Sequence, residues 1–284
     1  MIPMASEITG MPPNEWRFPN RATPVGSSAY YSLRFAPRNL RDDLAMLLAW
    51  WYQVHEIPDR VADLGLARIK LQWWREELER TFTDTPHHPL SRALRPVLER
   101  HGLPQAPFMD MADQVETEIL RRRPVTEADL DAACERDLGA LFELIARCHG
   151  LTDADVLQGA RRIGGFCAQV YLIRDSGALL GRGRALFPGE QLDALGLSNE
   201  ALVRREHHDR LPELLAPAAD RARARLAGSD LSQDLPLCIR VRVRILASLL
   251  EELADAGFKV ADRRISLTPL RKLWLAWRES RRMP

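Results

Sequence analysis

Hydrophobic residues recur along this chain at three- and four-residue steps, the spacing that places side chains on one face of an α-helix. One run of this kind extends from Leu40 to Val54, and another extends from Leu66 to Leu78. The same pattern predicts further helices at about residues 88–101, 107–122, 127–149, 153–180, 199–206, 211–227, 235–256 and 267–280.

Turn-forming and capping residues separate these runs. Clusters of Pro, Gly and His fall at residues 85–89, 101–107, 150–152 and 181–189, where a helix is expected to break. Ser27 and Ser28 are candidate N-caps, and Thr126 with Asp129 has the spacing of a capping box. Val241–Ile245 (VRVRI) alternates as a strand would, but it lies inside a longer helical run. The sequence therefore predicts one all-α domain, residues 27–284, after an irregular lead-in of residues 1–26.

Composition narrows the functional classes. The chain has 284 residues, of which 46% are hydrophobic, and this is ample for a large core. Its 40 basic and 39 acidic residues leave a net charge of +1, which gives no support for a nucleic-acid partner. The four cysteines form no CxxC pair, a pattern that favours reduced thiols in a cytoplasmic protein. No stretch approaches the roughly 18 apolar residues of a membrane span, and no signal peptide is evident.

Two segments carry the candidate chemistry. The first covers residues 27–59 and is followed by LARIKLQWWREEL at 66–78, and the second is GGFCAQVYLIRDSGALLGRGRALFP at 164–188. With ISLTPLRKLWLAWR at 265–278, they resemble the sequence blocks of the squalene/phytoene synthase family in content and order. The resemblance implies an isoprenoid-synthase-type helix bundle around a central apolar cavity. It also implies head-to-head condensation of prenyl diphosphates as the ancestral activity.

The first aspartate motif of that family is altered in this chain. Ionising an allylic diphosphate requires its charge to be neutralised, and aspartates four apart on facing helices offer the oxygen ligands that Mg²⁺ prefers. The family's D-D-x-x-D run falls here on HEIPD, in which Asp59 matches and Glu56 keeps the charge. His55 is a poor Mg²⁺ ligand. Pro58 removes a helix hydrogen bond, so His55 and Asp59 are not expected to stack as the motif requires.

The second motif is altered as well. Arg174 and Asp175 match the family, but Tyr171 stands in place of its Asn, and Ala178 and Leu179 stand in place of its Glu-Asp pair. Two monodentate carboxylates do not make a three-metal site. The leading hypothesis is therefore a family member that has lost or greatly weakened Mg²⁺-dependent prenyl transfer. Such a protein would use the cavity to bind an isoprenoid or other lipid, or would bind a protein partner, and would need no cofactor.

The rival hypothesis is an active prenyltransferase that condenses farnesyl or geranylgeranyl diphosphate with Mg²⁺ as cofactor. The resemblance implies the residues that would serve it. The metal ligands would be Glu56, Asp59 and Asp175, with His55 the weakest candidate, and Asp59 and Asp175 would be catalytic. The diphosphate ligands would be Arg34, Arg174 and Arg184. The cavity wall would include Trp50, Trp51 and Tyr171.

Two further features bear on partners. In its altered motifs the chain resembles the mitochondrial branch of the family that serves in complex I assembly, which is the precedent for a protein partner. A passive isoprenoid carrier is a third possibility. The C-terminal helix carries an apolar stripe among arginines, composed of Leu270, Leu273, Trp274 and Trp277. This pattern favours packing of the stripe on the bundle, and the alternative is peripheral contact with the inner face of a membrane. Arg121–Arg123 is interpreted as a solvated helix end.

Overall fold

The computed structural model describes residues 15–83, 85–228 and 235–282, and within these ranges it contains helices and no strand. The predicted all-α fold is thus confirmed. None of the described helices is long and apolar enough to cross a membrane. A π-helical turn, Glu135–Gly139, joins α7 to α8. The helices, numbered in chain order, are α1 Ser28–Arg34, α2 Arg41–His55, α3 Ile57–Arg60, α4 Leu64–Thr83, α5 Pro89–His101, α6 Ala106–Ile119, α7 Glu127–Cys134, α8 Ala140–Cys148, α9 Ala154–Gly181, α10 Gly189–Ala194, α11 Asn199–Val203, α12 Leu211–Ala227, α13 Leu237–Asp255 and α14 Pro269–Ser280.

The local signals in the sequence explain where several helices begin. The Ser27 hydroxyl accepts a hydrogen bond from the backbone N–H of Tyr30 at 3.0 Å, so it caps α1. Thr126 and Asp129 form the reciprocal hydrogen bonds of a capping box at the start of α7. The alternating segment Val241–Ile245 lies within α13, so its helical assignment is confirmed. The short helix α10 was not predicted, because six residues are too few for a periodic pattern to register.

Pro58 divides the first altered motif between two helices. Helix α2 ends at His55, Glu56 is the single residue between the helices, and Pro58 lies in the first turn of α3. A proline is tolerated there because the N–H that it lacks would have no helical acceptor in any case. His55 and Asp59 therefore belong to different helices and do not stack on one face.

A close backbone contact joins α9 to the π-helical turn at the centre of the molecule. A Cβ atom placed on Gly164 would lie 2.4 Å from the carbonyl oxygen of Leu138 and 2.6 Å from the Cα of Gly139. Only glycine fits at such a distance, so Gly164 lets the two segments approach. This contact fixes the turn that carries Arg136 and Asp137.

The apolar stripe of α14 does not pack on the bundle, contrary to the favoured prediction. Its side chains are exposed to the extent of 79% for Leu270, 39% for Leu273 and 49% for each of Trp274 and Trp277. The only buried residues of the helix are Ala276 and Glu279. Periodicity identified an amphipathic helix correctly but could not identify which face its neighbours cover.

Candidate functional site

A cavity of about 890 Å³ lies among α2, α6, α7, the π-helical turn, α9, α13 and α14. Ligand pockets usually occupy about 300–1,000 Å³, so the space suits a small lipid. Trp51 and Tyr171, which were predicted to belong to the cavity wall, line this cavity. Trp50 does not line it, since its ring packs edge-on against Phe108 in the core with ring centroids 5.0 Å apart. Other apolar residues of the wall are Leu48, Leu130, Leu138, Ala168, Leu172 and Leu179.

Asp59, the matching aspartate of the first motif, is held by two arginines that follow α9. Its Oδ2 lies 2.7 Å from Arg182 Nη1, and its Oδ1 lies 2.9 Å from Arg184 Nη2. Arg184, whose side chain is only 10% exposed, also forms an ion pair with Glu118 of α6. Arg184 and Glu118 line the cavity, whereas Asp59 lies behind them. Asp59 is therefore the anionic partner of two guanidinium groups in this structure.

The other two residues of the first motif also have partners. Glu56 forms an ion pair with Arg60, in which Glu56 Oε2 lies 2.8 Å from Arg60 Nη2. His55 Nε2 lies 2.7 Å from Asp137 Oδ1, and the same oxygen accepts a hydrogen bond of 2.7 Å from Trp51 Nε1. Burial opposes protonation of His55, but the Asp137 carboxylate outweighs it, and the pKa of His55 is raised. His55 is thus directed at a carboxylate and is not available as a metal ligand.

Asp175, the matching aspartate of the second motif, lines the cavity and is shared by two arginines. Arg174 donates to it from both Nε, at 2.9 Å, and Nη2, and Arg264 Nε donates to Oδ1 at 3.0 Å. Burial favours the neutral acid, but Arg174 and Arg264 outweigh it and hold the pKa of Asp175 below its usual value. Asp175 is therefore ionised and already satisfied by cationic donors.

The residues present do not fit a cluster of Mg²⁺ ions. Across the described ranges, no group of three or more His, Cys, Asp or Glu side chains is arranged to hold a metal ion. Asp59 and Asp175 would each have to leave two arginines before binding a divalent cation, and those arginines would then repel the cation. The altered motifs are thus accompanied by arginine partners for the carboxylates that remain.

Three arginines were predicted to bind diphosphate. Arg174 and Arg184 line the cavity, but Arg34 does not. Arg34 is exposed, and its side chain reaches the Tyr30 hydroxyl at 3.5 Å.

Most of the cations of the cavity were not predicted. Ten cationic and only four acidic residues line it. Arg121–Arg123, interpreted from sequence as a solvated helix end, is exposed just after the end of α6, as that interpretation expects, and it also belongs to this lining. Arg242 is buried in α13, and the pattern offered a signal for it, because an arginine within an otherwise apolar helix must find a polar partner. The acidic members are Glu118, Asp129, Asp137 and Asp175.

Several of these cationic side chains lie close to Tyr171, and they share a single carboxylate. The Arg174 guanidinium lies 4.5 Å from the centroid of the Tyr171 ring, and Arg242 Nη1 donates to the Tyr171 hydroxyl at 3.1 Å. Lys272 Nζ donates to the Gly26 carbonyl at 2.9 Å. Burial and the charges of Arg174 and Arg264 lower the pKa of Lys272. An anion bound among these groups would relieve their mutual repulsion.

The comparisons with known proteins agree with this architecture. The family model for squalene/phytoene synthase matches residues 22–271. The chain is 28% identical over 212 residues to a presqualene diphosphate synthase of Sinorhizobium fredii, covering 74% of this chain and 76% of the relative. It is 22% identical over 191 residues to the rat NADH dehydrogenase (ubiquinone) complex I assembly factor 6, covering 67% and 57%. A crystal structure of a dehydrosqualene synthase in complex with ligand superposes with a TM-score of 0.77 at 19% identity, covering 89% of this chain and 90% of the other.

The helix bundle and its cavity define an all-α protein with the isoprenoid-synthase fold. Within that class, the chain belongs to the squalene/phytoene synthase family.

Proposed function

We propose that this protein binds an anionic isoprenoid of the prenyl diphosphate class in its cavity and has lost Mg²⁺-dependent prenyl transfer. The observation that carries the proposal is the charge of the cavity. Its lining holds ten cations and four acids, and both matching aspartates are engaged by arginines. In a metal-dependent site, carboxylates gather the divalent ions that neutralise the diphosphate. Here the arginines are available to neutralise it directly.

The placement of apolar and cationic groups suits such a ligand. Guanidinium groups bind phosphate oxygens in pairs of parallel hydrogen bonds, and Arg174 and Arg242 lie over one tyrosine ring beside Lys272. Leu138, Ala168 and the other apolar residues of the wall would receive the isoprenoid chain. We place this binding in the cytoplasm, an assignment supported by the four buried, free cysteines.

An active prenyltransferase is the alternative, and the presqualene diphosphate synthase relatives support it. In that case Glu56, Asp59 and Asp175 would have to exchange their arginine partners for Mg²⁺. A passive isoprenoid carrier and a role in protein assembly are the other forms that a non-catalytic function could take. The complex I assembly factor relatives support the assembly role, although a shared fold does not fix function.

The test measures binding and turnover separately. Calorimetric titration with farnesyl diphosphate is expected to give the same affinity in EDTA as in Mg²⁺, and farnesol, which lacks the diphosphate, is expected to bind far more weakly. Diphosphate release in Mg²⁺ is expected to be no greater than that of the Asp59→Ala/Asp175→Ala double variant.

The same double variant separates the two hypotheses by the direction of its effect. If the aspartates are ion-pair partners, their removal frees arginines. In EDTA, farnesyl diphosphate then binds the double variant at least as tightly as it binds the wild type. If they are metal ligands, their removal abolishes a wild-type diphosphate release that depends on Mg²⁺. The second result would replace our proposal with catalysis, and an absence of binding under all conditions would leave a protein partner as the function.

A further inference from the structure

Helix α14 packs on the bundle through its inner side, where Leu275 contacts the hydrophobic core, while four of its large apolar side chains are exposed. On its inner side, Ala276 is fully buried and Glu279 forms ion pairs with Arg244 at 3.1 Å and Arg282 at 3.6 Å. Near its start, Thr268 caps the helix. The outer side, which we call the α14 face, presents Leu270, Leu273, Trp274 and Trp277. Its two tryptophans are each 49% exposed.

Positive charge is concentrated around this face. Residues 259–282 contain eight Lys or Arg and only two acidic residues, although the whole chain has a net charge of only +1. Both acids are engaged, Asp262 by Arg205 and Glu279 by its arginine partners. The guanidinium groups of Arg278 and Arg281 lie over the rings of Trp274 and Trp277, 5.2 and 5.3 Å from their centroids. Indole rings and arginines therefore alternate along the exposed side.

We propose that the α14 face docks on the surface of an anionic phospholipid bilayer. Tryptophan rings favour the headgroup level of a membrane, where one edge is wet and the other apolar. Each cation near an anionic membrane adds attraction of its own. A convex helix face with apolar side chains between cations matches this environment, whereas a protein partner would require acidic groups in a matching arrangement. The inference concerns the surface alone and does not depend on what the cavity binds.

The molecule has a second exposed apolar stripe, and it differs from the α14 face in the charges beside it. Helix α4 exposes Leu66, Ile69 and Trp73 on one face. The charges of that helix are mixed, with four Lys or Arg and three Glu in Leu64–Thr83. This stripe thus has the apolar area without the positive field, and it supplies a matched control for the α14 face.

The position of α14 also places the cavity beside the proposed membrane contact. Lys272, on the edge of the helix, and Arg264, before its start, both line the cavity. A Cβ atom on Gly26 would lie 3.7 Å from Pro269, so the segment that precedes α1 abuts the first turn of α14. Val25, in that segment, is 74% exposed, and Val125, which also lines the cavity, is 68% exposed. A docked molecule would therefore hold the mouth of its cavity close to the lipid.

The test is co-sedimentation of the full chain with vesicles of phosphatidylcholine, with and without phosphatidylglycerol. The protein is expected to sediment with the anionic vesicles at low salt, with a shift of tryptophan fluorescence to shorter wavelength, and to be released as salt rises. The Trp274→Ala/Trp277→Ala variant is expected to bind at least about tenfold more weakly. Each of Arg278→Gln and Arg281→Gln is expected to weaken binding about fivefold.

The control is the Ile69→Ala/Trp73→Ala variant of α4, which removes the same kind of exposed apolar area from the other stripe. It is expected to sediment as the wild type does, and the circular dichroism of all variants should match the wild type. Equal losses in the two double variants, wild-type binding to neutral vesicles as strong as to anionic ones, or no sedimentation at low salt would each overturn the proposal. It would also be overturned if light scattering showed a dimer that Trp274→Ala/Trp277→Ala converts to a monomer, since the face would then be a self-interface.

Discussion

The two aspartate motifs belong to regions of the molecule that differ in how their charges are paired. In the first region, which we call the α3 wall, Arg184 stands between Asp59 and Glu118, and Arg182 completes the group. Two carboxylates meet two guanidinium groups, so the charges balance. The short distances and the burial of Arg184 indicate a network that holds α3, α6 and the end of α9 together.

In the second region, the α9 wall, cations outnumber their partners. Asp175 is shared by Arg174 and Arg264, while Arg242 and Lys272 are bonded, within the described residues, only to the neutral groups of Tyr171 and Gly26. Under the proposed function, the two walls are two kinds of site. The α3 wall is structural, and the α9 wall retains positive charge that a ligand can use.

The largest expected effect is on ligand affinity at the α9 wall. The Arg174→Gln/Arg242→Gln variant should bind farnesyl diphosphate about 100-fold more weakly than the wild type in EDTA, since each charge-assisted hydrogen bond contributes about 1.5–3 kcal/mol. Calorimetry measures the loss. Arg182→Gln, the same substitution on the α3 wall, is the matched control and should change the affinity little. Equal losses in the two variants would contradict the distinction between the walls.

The next effect is on stability at the α3 wall. Arg184→Ala leaves Glu118 without its arginine and Asp59 with one partner in place of two, so urea unfolding should show a loss of about 2–3 kcal/mol. A double-mutant cycle sharpens the result. Arg184→Ala combined with Glu118→Gln should cost clearly less than the sum of the two single changes, because the pair is then removed together. Additive costs would mean that the α3 wall is not the coupled network described above.

The fold could be predicted from the sequence because its signals are local. Apolar spacing, the cap at Ser27 and the capping box at Thr126 act within a few residues, and every helix predicted from them is present. The α14 face shows the limit of this reasoning. The periodicity of a helix shows that one side is apolar, but whether a neighbour covers that side depends on packing between distant parts of the chain.

The ion pairs of the site could not be predicted from local sequence signals, for the same reason. The partners of Asp59 are more than 120 residues away, and Arg264, which shares Asp175 with its neighbour Arg174, is 89 residues away. Sequence motifs showed which carboxylates of the family are absent, and only the fold could bring in the arginines that pair with those that remain. Arg242 is the exception, because an arginine in an apolar helix is a local signal that indicates a buried polar contact.

The smallest expected effect concerns His55, which lies between the two walls at the end of α2. The neighbouring Asp137 raises the pKa of His55 despite burial, so the protonated form is favoured in the folded state. Its contribution to stability is therefore complete below the unfolded pKa of about 6.5 and is lost as the pH rises through the higher folded value. The stability difference between the wild type and His55→Gln should shrink as the pH rises from about 6 to about 8, and urea unfolding at several pH values measures it.

Asp137→Asn supplies the control, because it removes the carboxylate and keeps a side chain of the same shape. Nuclear magnetic resonance titration should then show the pKa of His55 falling from its raised value, since the remaining effect of burial disfavours the charged imidazole. A stability difference that stays constant over this pH range would mean that the contact of 2.7 Å between His55 and Asp137 joins a neutral imidazole to the carboxylate. In that case the charges of the α3 wall, and not those of His55 and Asp137, would contribute to stability near the first motif.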